Sequence, residues 1–406
     1  MKTQNGIALI TVLVVLFLIF ALVGTFLFLA TNARLLNERY YENSLALYLA
    51  EAGIDYAIWE IDFGSADFSD WSGNPATEAT KTMNNFQDTD GNIYGNISIS
   101  VYNFGQEIVT VRSTGTFSSL TGPQLSRTVQ VFLKKHKLFS YAILTSEGID
   151  ISGSAKVDSY NSINGPYGGS NVYQNGDIAT NSQENPAILI TGNNAEVNGN
   201  AATGPSGTVS DAHDSITGTT NDNAEVFMPP VTVPSSLTVL TSGGTINHDE
   251  TLWTGSYKFD SLDLNASKKL TLNGNVDLYF IKNPSISLTG SGEIVVNGTV
   301  NIYFDGDVQL AGKGILNNSQ DPSSLTLYGT DTVGNVSITG VGALHGTVYS
   351  PSAGISISGN SEIYGAVATK NTTVSGVAGN TAIHFDERLL VDSPTIGYDP
   401  YLWEEK

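Results

Sequence analysis

The feature that most constrains this chain is an uncharged, apolar run from Ile7 to Ala30. An α-helix of about 24 residues measures roughly 36 Å, which is enough to cross a ~30 Å hydrocarbon layer with some tilt. A removable signal peptide, cut at the small residues 31–33, is the competing interpretation. The apolar core of such a peptide usually holds only about 7–15 residues. The run therefore predicts a transmembrane helix over residues 7–30.

The residues before this run point to a particular kind of helix. A short polar leader, residues 1–6, carries one lysine and ends in Gly6 immediately before Ile7. This pattern resembles the type IV pilin superfamily, in which a prepilin peptidase cuts after such a glycine and leaves the apolar helix as the mature N-terminus. Most members carry a glutamate at the fifth mature position, where this chain has Thr11. That departure is similar to the minor pilins of the PilX and GspK type.

A second patch agrees with this resemblance. The stretch 49–54, Leu-Ala-Glu-Ala-Gly-Ile, is close to the Ala-Glu-Ala-Gly box that closes the PilX-type N-terminal segment. The resemblance implies a single-pass protein of the cytoplasmic (inner) membrane, with a cytoplasmic N-terminus and an extracytoplasmic C-terminal region. It also implies assembly with other pilin subunits through the helix into a cell-surface pilus. Thr11 lacks the charge that usually pairs with a neighbouring subunit's N-terminal amine, which favours a place at the filament tip. An ordinary single-pass anchor is the alternative.

Residues 31–137 read as an extension of the helix followed by a small sheet. Apolar residues at helical spacing predict that one face of the extension packs on that sheet; they are Tyr40, Leu47, Ile54, Ile58 and Ile61. Residues 62–92 are rich in Gly, Asp, Asn, Ser and Thr and are interpreted as a loop. Within them, Asp88 to Asn92 is similar to a calcium loop, but its glycine comes too early for an EF-hand, which favours a tight turn. Alternating segments at 93–101, 108–111 and 128–133 predict three antiparallel strands.

Beyond residue 137 a short motif recurs: an apolar residue, a small polar one and usually glycine. Its starting residues are Ile151, Ile190, Leu288, Leu310, Ile338, Ile357 and Val374. Unequal spacing around a constant core is typical of the coils of a parallel β-helix, because loops vary while inward positions do not. A β-sandwich is the alternative fold. The arrangement resembles an uncharacterised β-repeat domain that often follows PilX-type N-termini.

The predicted architecture is therefore α+β, with a long N-terminal helix, a small antiparallel sheet and a β-solenoid. Its parts are a leader peptide (1–6), a transmembrane helix (7–30), a pilin-like helix extension and sheet (31–137), the repeat domain (138–391) and a tail (392–406). The tail contains Tyr398, Tyr401 and Trp403, which we expect to cap an open end of the solenoid or dock on its flank.

Charge and composition exclude several functions. The chain has 18 Lys+Arg against 39 Asp+Glu, a formal net charge of −21, which argues against binding nucleic acid or anionic lipid. It has no cysteine, which removes disulfides, Cys–zinc sites and thiol nucleophiles. No Gly-x-Ser-x-Gly, phosphate-binding loop or His-Glu-x-x-His motif is present. We therefore expect no catalysis, no metal and no cofactor.

Two acidic patches could still carry chemistry. Asp305 and Asp307 flank Gly306 and would share one side of an extended chain, although an ordinary polar turn is the favoured interpretation. His213, between Asp211 and Asp214, could ligate a metal, but a lone loop histidine is more often solvated. Neither patch outweighs the expectation that the repeat domain is not an enzyme.

Together these patterns predict a minor-pilin-like structural subunit of a type IV pilus or a type II secretion-like pseudopilus. Its solenoid would be displayed for surface adhesion or assembly, with a surface glycan or host ligand as the expected partner. The first alternative is a membrane-anchored β-helix enzyme acting on extracellular polysaccharide, which would need carboxylates and a basic residue converging in one groove. The second is a static single-pass surface protein.

Overall fold

The computed structural model describes residues 4–62, 68–87, 93–117, 123–376 and 381–406. They form two compact units. The helix–sheet unit comprises residues 1–136 and 397–406, and the parallel-strand unit comprises residues 137–396.

The helix–sheet unit begins with one long helix of two characters. Helix α1 (Gln4–Asp62) has 59 residues, and by length and composition it could cross a membrane. Apolar side chains between Leu9 and Leu36 are exposed. Further along, small and aliphatic side chains at helical spacing are buried; they are Ala46, Leu49, Ala50, Ile54, Ala57 and Ile61. The predicted change from an apolar helix to an amphipathic one is confirmed, except that Tyr40 is 69% exposed because it precedes the buried stripe.

The buried stripe packs on an antiparallel sheet. Its first strands are β1 (Ser72–Asn74), β2 (Glu78–Gln87), β3 (Ile93–Tyr102), β4 (Ile108–Phe117) and β5 (Leu125–Lys137), each paired with the next. Helix and sheet approach closely, since a Cβ on Gly115 of β4 would lie 2.1 Å from the carbonyl oxygen of Ala46. The three predicted strands are confirmed. The loop interpretation of residues 62–92 was wrong for β1 and β2, whose polar side chains and β-bulges hide the alternation of a strand.

Among the residues that the structure describes, the parallel-strand unit contains twenty strands. They are β6 (Ile143–Gly153), β7 (Lys156–Tyr160), β8 (Ile178–Thr180), β9 (Ile188–Ile190), β10 (Glu196–Val197), β11 (Ala201–Ala202), β12 (Val209–Asp211), β13 (Thr220–Asn221), β14 (Thr245–Ile246), β15 (Glu250–Phe259), β16 (Ser261–Leu264), β17 (Lys269–Phe280), β18 (Ile286–Leu288), β19 (Glu293–Asn297), β20 (Val300–Phe304), β21 (Val308–Leu310), β22 (Gly314–Asn317), β23 (Leu325–Gly329), β24 (Asn335–Gly376) and β25 (Ala382–Asp386). Short helices α2 (Ser235–Thr238) and α3 (Leu389–Asp392) and 3₁₀ turns at Ser162–Asn164 and Pro322–Ser324 complete it.

The last strand of the chain, β26 (Thr395–Glu405), joins the antiparallel sheet beside β5. Tyr398 is buried in the core of the helix–sheet unit, where its ring lies 5.9 Å from that of Phe104. The expectation that the tail caps or flanks the repeat domain was therefore wrong. The exposed edge of β5 offers unpaired backbone groups to the returning chain, and strand pairing satisfies them.

Strand pairing in the parallel-strand unit differs in kind from that of the small sheet. Every strand pair of described register is parallel, whereas the sheets of a β-sandwich, the alternative from the sequence, are antiparallel. One row runs β15–β17–β20–β23–β24–β6–β8–β11–β13 across the unit. Other rows follow β16–β18–β21–β24 and β17–β19–β22.

The order of stacking differs from the order of the chain. Strand β6, the first of the unit, pairs with β24, so that Val367 lies beside Ile143. The chain then proceeds to one edge at β13, crosses back through residues 222–244, and starts again at the opposite edge with β14 and β15. Residues near 160 and residues near 386 thereby become neighbours, since β7 pairs with β25.

The recurring motif has a direct structural cause. Its first residues are buried and in register, as shown by Leu288 beside Leu310 and Val374 beside Ile151. Its glycines form a column at the corner of the strands. A Cβ on Gly153, whose φ is +70°, would lie 1.9 Å from the carbonyl oxygen of Gly376 in the adjacent strand. No larger residue fits this corner without moving the backbone.

Candidate functional site

The predicted processing residues lie at the beginning of α1. Gly6 and Ile7 are in its first turn, and Thr11 lies about one turn later on the exposed apolar part. Cleavage between Gly6 and Ile7 stays a prediction.

Asp305 and Asp307 form the polar turn that the sequence favours. The Asp305 carboxylate accepts hydrogen bonds from Tyr279 Oη (2.6 Å) and Thr330 Oγ1 (2.8 Å). Asp307 Oδ1 accepts from the backbone N–H of Asn335 (2.8 Å) and of the preceding glycine (3.1 Å). These carboxylates connect neighbouring strand ends and are not gathered into a groove.

His213 does not assemble a metal site with its neighbours. Asp211 instead accepts hydrogen bonds from the backbone N–H groups of His213 (3.3 Å) and Ile216 (3.1 Å), an ordinary turn arrangement. Across the described ranges, no group of three or more His, Cys, Asp or Glu residues is placed to hold a metal ion. The calcium-like stretch from Asp88 to Asn92 lies outside the described residues.

A column of aromatic and acidic side chains, which sequence reasoning did not identify, lies on one outer face of the parallel-strand unit. Tyr364, His384 and Asp158 occupy equivalent positions on β24, β25 and β7. The rings of His345 and Tyr364 are stacked with centroids 4.4 Å apart, and those of Tyr364 and His384 lie 4.7 Å apart. The column ends in a 2.5 Å contact between His384 Nδ1 and Asp158 Oδ1.

Tyr167, from the segment 161–177, packs on this column. The ring centroids of Tyr167 and His384 lie 3.8 Å apart, and the Tyr167 hydroxyl donates to Asp158 Oδ2 at 2.7 Å. Lys156 Nζ lies 3.1 Å from the same oxygen. Burial alone would raise the pKa of Asp158, but the hydrogen bonds from His384, Tyr167 and Lys156 and the charge of His384 outweigh it and lower the pKa. Asp158 is therefore an ionised anchor that holds this segment in place.

Next to the column lies a cavity of about 380 Å³. It is lined by Tyr160, Ser162, Gly165, Pro166, Tyr167, Ser319, Gln320, Asp321, His345 and Arg388. These residues come from four separate stretches of the chain. They meet because β7 stacks on β25 and because α3, after β25, contacts the 3₁₀ turn at 322–324.

Two buried polar atoms on residues that line this cavity have no protein partner. Tyr160 Oη and His345 Nδ1 form no hydrogen bond within the described part of the chain. Tyr160 is only 2% exposed. A buried polar atom left unsatisfied costs about 1–3 kcal/mol, so a fold that gathers two of them around one cavity is suited to a polar ligand that supplies the missing partners.

Charge at the cavity is largely neutralised. Arg388 Nη1 lies 2.8 Å from Asp321 Oδ2, and its Nε contacts Asp392. Burial and the proximity of His384 lower the pKa of His345 to about 4, so its imidazole is neutral at pH 7. Burial raises the pKa of Asp386, whose Oδ1 accepts from the backbone N–H of Ser162. The lining thus offers hydrogen-bond donors and acceptors rather than an unpaired charge.

The sequence carried little signal for this site. Its histidines are scattered singly, and Arg388 is the first arginine after residue 137. Only the stacking of β24 and β25 on β6 and β7 brings residues 158–167 to residues 345–388.

Comparisons with known proteins give the following likenesses. A domain family described as "Domain of unknown function (DUF7305)" matches residues 190–390, just under half of the chain. No curated protein sequence matches. The competence-associated pilin ComZ from Thermus thermophilus is 12% identical, with 90% of this chain and 97% of that chain covered and a TM-score of 0.28. A glycosylated ice-binding protein, LeIBP, from an Arctic yeast is 14% identical, with 60% and 90% covered and a TM-score of 0.24. Structural likenesses this low carry no argument about fold or function.

Proposed function

We propose that the chain is a minor-pilin-like structural subunit of a type IV pilus or a type II secretion-like pseudopilus, which displays the parallel-strand unit outside the cell. The observation that supports this most is the division of α1 into an exposed apolar part and a part packed on a sheet. The proposal includes insertion in the inner membrane with a cytoplasmic N-terminus, and processing by a prepilin peptidase between Gly6 and Ile7.

The exposed part of α1 requires an apolar environment. Large side chains such as Phe17, Phe20 and Phe28 are 67–72% exposed, and fully burying each one contributes about 1.5–3 kcal/mol. Lipid meets this requirement before assembly, and the helices of neighbouring subunits meet it within a filament. A removed signal peptide would not need the continuous helical connection to a folded sheet that α1 makes from Gln4 to Asp62.

The same helix offers a second surface to other subunits. Tyr40, Tyr41, Tyr48 and Trp59 are 54–69% exposed although they lie beyond the predicted membrane span. Aromatic side chains are enriched in protein interfaces, since they bury a large area at a low entropic cost. We propose that they contact neighbouring pilin subunits. Thr11, which lacks a charge, fits a subunit at the tip of the filament.

We further propose that the parallel-strand unit is a β-solenoid and that it acts as a binding module rather than an enzyme. Successive stretches of the chain each contribute one strand to a parallel row, and this arrangement supports the solenoid. Carboxylates do converge near Arg388, as an enzyme would require. However, Asp321 is held by Arg388 and by the backbone N–H of Ser323 (3.0 Å), which leaves it poorly placed to act on a substrate.

N-terminal sequencing of protein recovered from sheared surface filaments tests the pilin proposal. The native chain is expected to begin at Ile7. Gly6→Val should retain the leader and be absent from filaments, because the larger side chain blocks the peptidase. Gly24→Val makes the same change within the helix, away from the cleavage point, and should still be processed to a chain that begins at Ile7. A native chain that keeps Met1 or is missing from the filaments would refute the proposal.

A further inference from the structure

We propose that the cavity between residues 160–167, 319–321, His345 and Arg388 is a binding site for one or two rings of a neutral carbohydrate. The inference rests on the proposed function only for its biological setting, which is the display of the parallel-strand unit outside the cell. It assigns the ligand class and the residues that recognise it.

The size and walls of the cavity suit a sugar. Its volume of about 380 Å³ is at the small end of the ~300–1,000 Å³ usual for ligand sites, which favours one or two rings over a long chain. Tyr160 and Tyr167 both line it, with ring centroids 5.8 Å apart and nearly perpendicular planes. Aromatic rings give the apolar C–H faces of a pyranose a surface to pack on, and their polar ends give its hydroxyls partners.

The free polar atoms match hydroxyl groups. Each sugar hydroxyl is one donor and two acceptors, as a Ser hydroxyl is. The cavity offers Tyr160 Oη, which can donate and accept. It also offers the Nδ1 of the neutral His345 ring and the side-chain amide of Gln320. A lining of mixed donors and acceptors without an unpaired charge recognises a polyol better than a phosphate or a carboxylate.

The charges around the cavity exclude an anionic sugar. Arg388, the basic side chain of the lining, is shared between Asp321 and Asp392. Asp386 lies behind Ser162, and the whole chain carries a formal charge of −21. A sialic or uronic acid would therefore meet carboxylates without a free cation to pair with.

The site is also held in shape before any ligand arrives. Asn171 Nδ2 donates to the carbonyl oxygens of Asn161 (3.0 Å), Gly165 (3.0 Å) and Pro166 (3.2 Å), which fixes the wall of residues 161–171. Asn161 Oδ1 in turn accepts from the backbone N–H of Ile163 at 3.0 Å. A fixed wall reduces the ordering cost of binding a small ligand.

The test is a titration of the purified full chain in detergent micelles, in which calorimetry and saturation-transfer NMR measure binding. The probes are glucose, galactose, mannose, lactose and cellobiose, with N-acetylneuraminic acid and galacturonic acid as charged comparators. We expect at least one neutral sugar to bind with a Kd of about 1 mM or tighter. The acids should bind at least tenfold more weakly.

Tyr160→Phe separates binding from folding. It removes only an unpartnered hydroxyl, so the melting temperature should stay the same or rise while affinity for the neutral sugar falls fivefold or more. Tyr303→Phe is the matched control, because the Tyr303 ring stacks on Tyr328 away from the cavity, and its affinity should equal that of the native chain.

Three results would overturn the proposal: no neutral sugar binds, Tyr160→Phe binds as well as the native chain, or the sugar is cleaved during the titration. Because the assay needs no filament, its outcome is separate from that of the pilin proposal. A chain absent from filaments that still binds sugar refutes only the pilus role. A chain within filaments that binds no sugar refutes only the carbohydrate site.

Discussion

The two units of this molecule bury their cores through different patterns of strand pairing. In the helix–sheet unit, strands β1 to β5 pair with their neighbours in sequence, only β26 of the described strands returns from a distant part of the chain, and one helix covers the sheet. In the parallel-strand unit, pairs such as Val367 with Ile143 join residues more than two hundred positions apart. Local pairing makes a core that a short segment can complete, whereas distant pairing creates a place where remote side chains meet. The cavity lies at such a place.

The largest effect should come from the glycine column. Gly153→Val places a side chain against the Gly376 carbonyl at a φ of +70°, and we expect the free energy of unfolding of the parallel-strand unit to fall by about 4 kcal/mol. Gly314→Val has a similar φ of +64° but meets no atom within 4 Å, so it should cost only about 1–2 kcal/mol. Hydrogen–deuterium exchange of β6 and β24 measures both. Equal losses in the two variants would show that contact within the column is unimportant.

The corresponding change in the helix–sheet unit is Ile54→Ala. Ile54 is fully buried, and truncation should cost about 3 kcal/mol through lost burial and a residual cavity. Exchange protection should fall in β3 and β4 but not in β17 and β20. Tyr48→Ala, at a helix position that is 63% exposed, should change stability by less than about 0.5 kcal/mol. Loss of protection across both units would contradict the separation of their cores.

Acid should also change the folding stability of the two units in opposite directions, through His345 in the parallel-strand unit and Asp62 in the helix–sheet unit. His345 has a folded pKa of about 4 against an ordinary 6.5, so the unfolded chain takes up a proton first as the pH falls. The stability that neutral His345 contributes to the folded state is complete above pH 6.5 and is lost as the pH falls towards 4. Native protein should lose about 2 kcal/mol more than His345→Phe over that window, as measured by denaturation at pH 7 and pH 4. An identical loss in the two proteins would disprove the assignment.

Asp62, in the helix–sheet unit, should show the reverse slope. Burial raises its pKa from 3.8 to about 6, with nearby Asp399 adding to the rise, while the Tyr398 N–H and His136 oppose it. The folded state then favours the protonated form, so its contribution is present below pH 3.8 and is lost as the pH rises to 6. Asp62→Asn keeps an acceptor for Tyr398 and should gain about 1 kcal/mol over native protein between pH 4 and pH 7. If the difference between the two does not change with pH, the prediction fails.

A structural feature could be predicted from the sequence when its cause lies within a few neighbouring residues. The buried stripe containing Ile54 and the glycine at 153 leave signatures within a few residues, so the helix extension and the repeat were recognised in the sequence. Strands β1 and β2 were missed because Asn, Thr and Gly obscure their alternation, and Tyr40 was misplaced because helical spacing does not indicate where a partner sheet begins.

The cavity could not be predicted for a related reason. Tyr160, His345 and Arg388 are each unremarkable in their own segments, and no motif connects them. Their proximity follows from the register of β7 with β25, which pairs Tyr160 with Asp386. That register is set by which strands stack last, a property of the whole unit that no window of sequence contains.

The two ends of the parallel-strand unit have a consequence for how such a chain can diversify. Leu138 donates its backbone N–H to the carbonyl oxygen of Pro394 at 2.9 Å, and Lys137 Nζ lies 3.1 Å from the carbonyl oxygen of Ser393. Entry and exit are therefore adjacent, and β5 and β26 are neighbours in one sheet. In effect the whole unit is a loop inserted between two paired strands. We expect that such an inserted unit can be exchanged for another without altering the sheet that carries it.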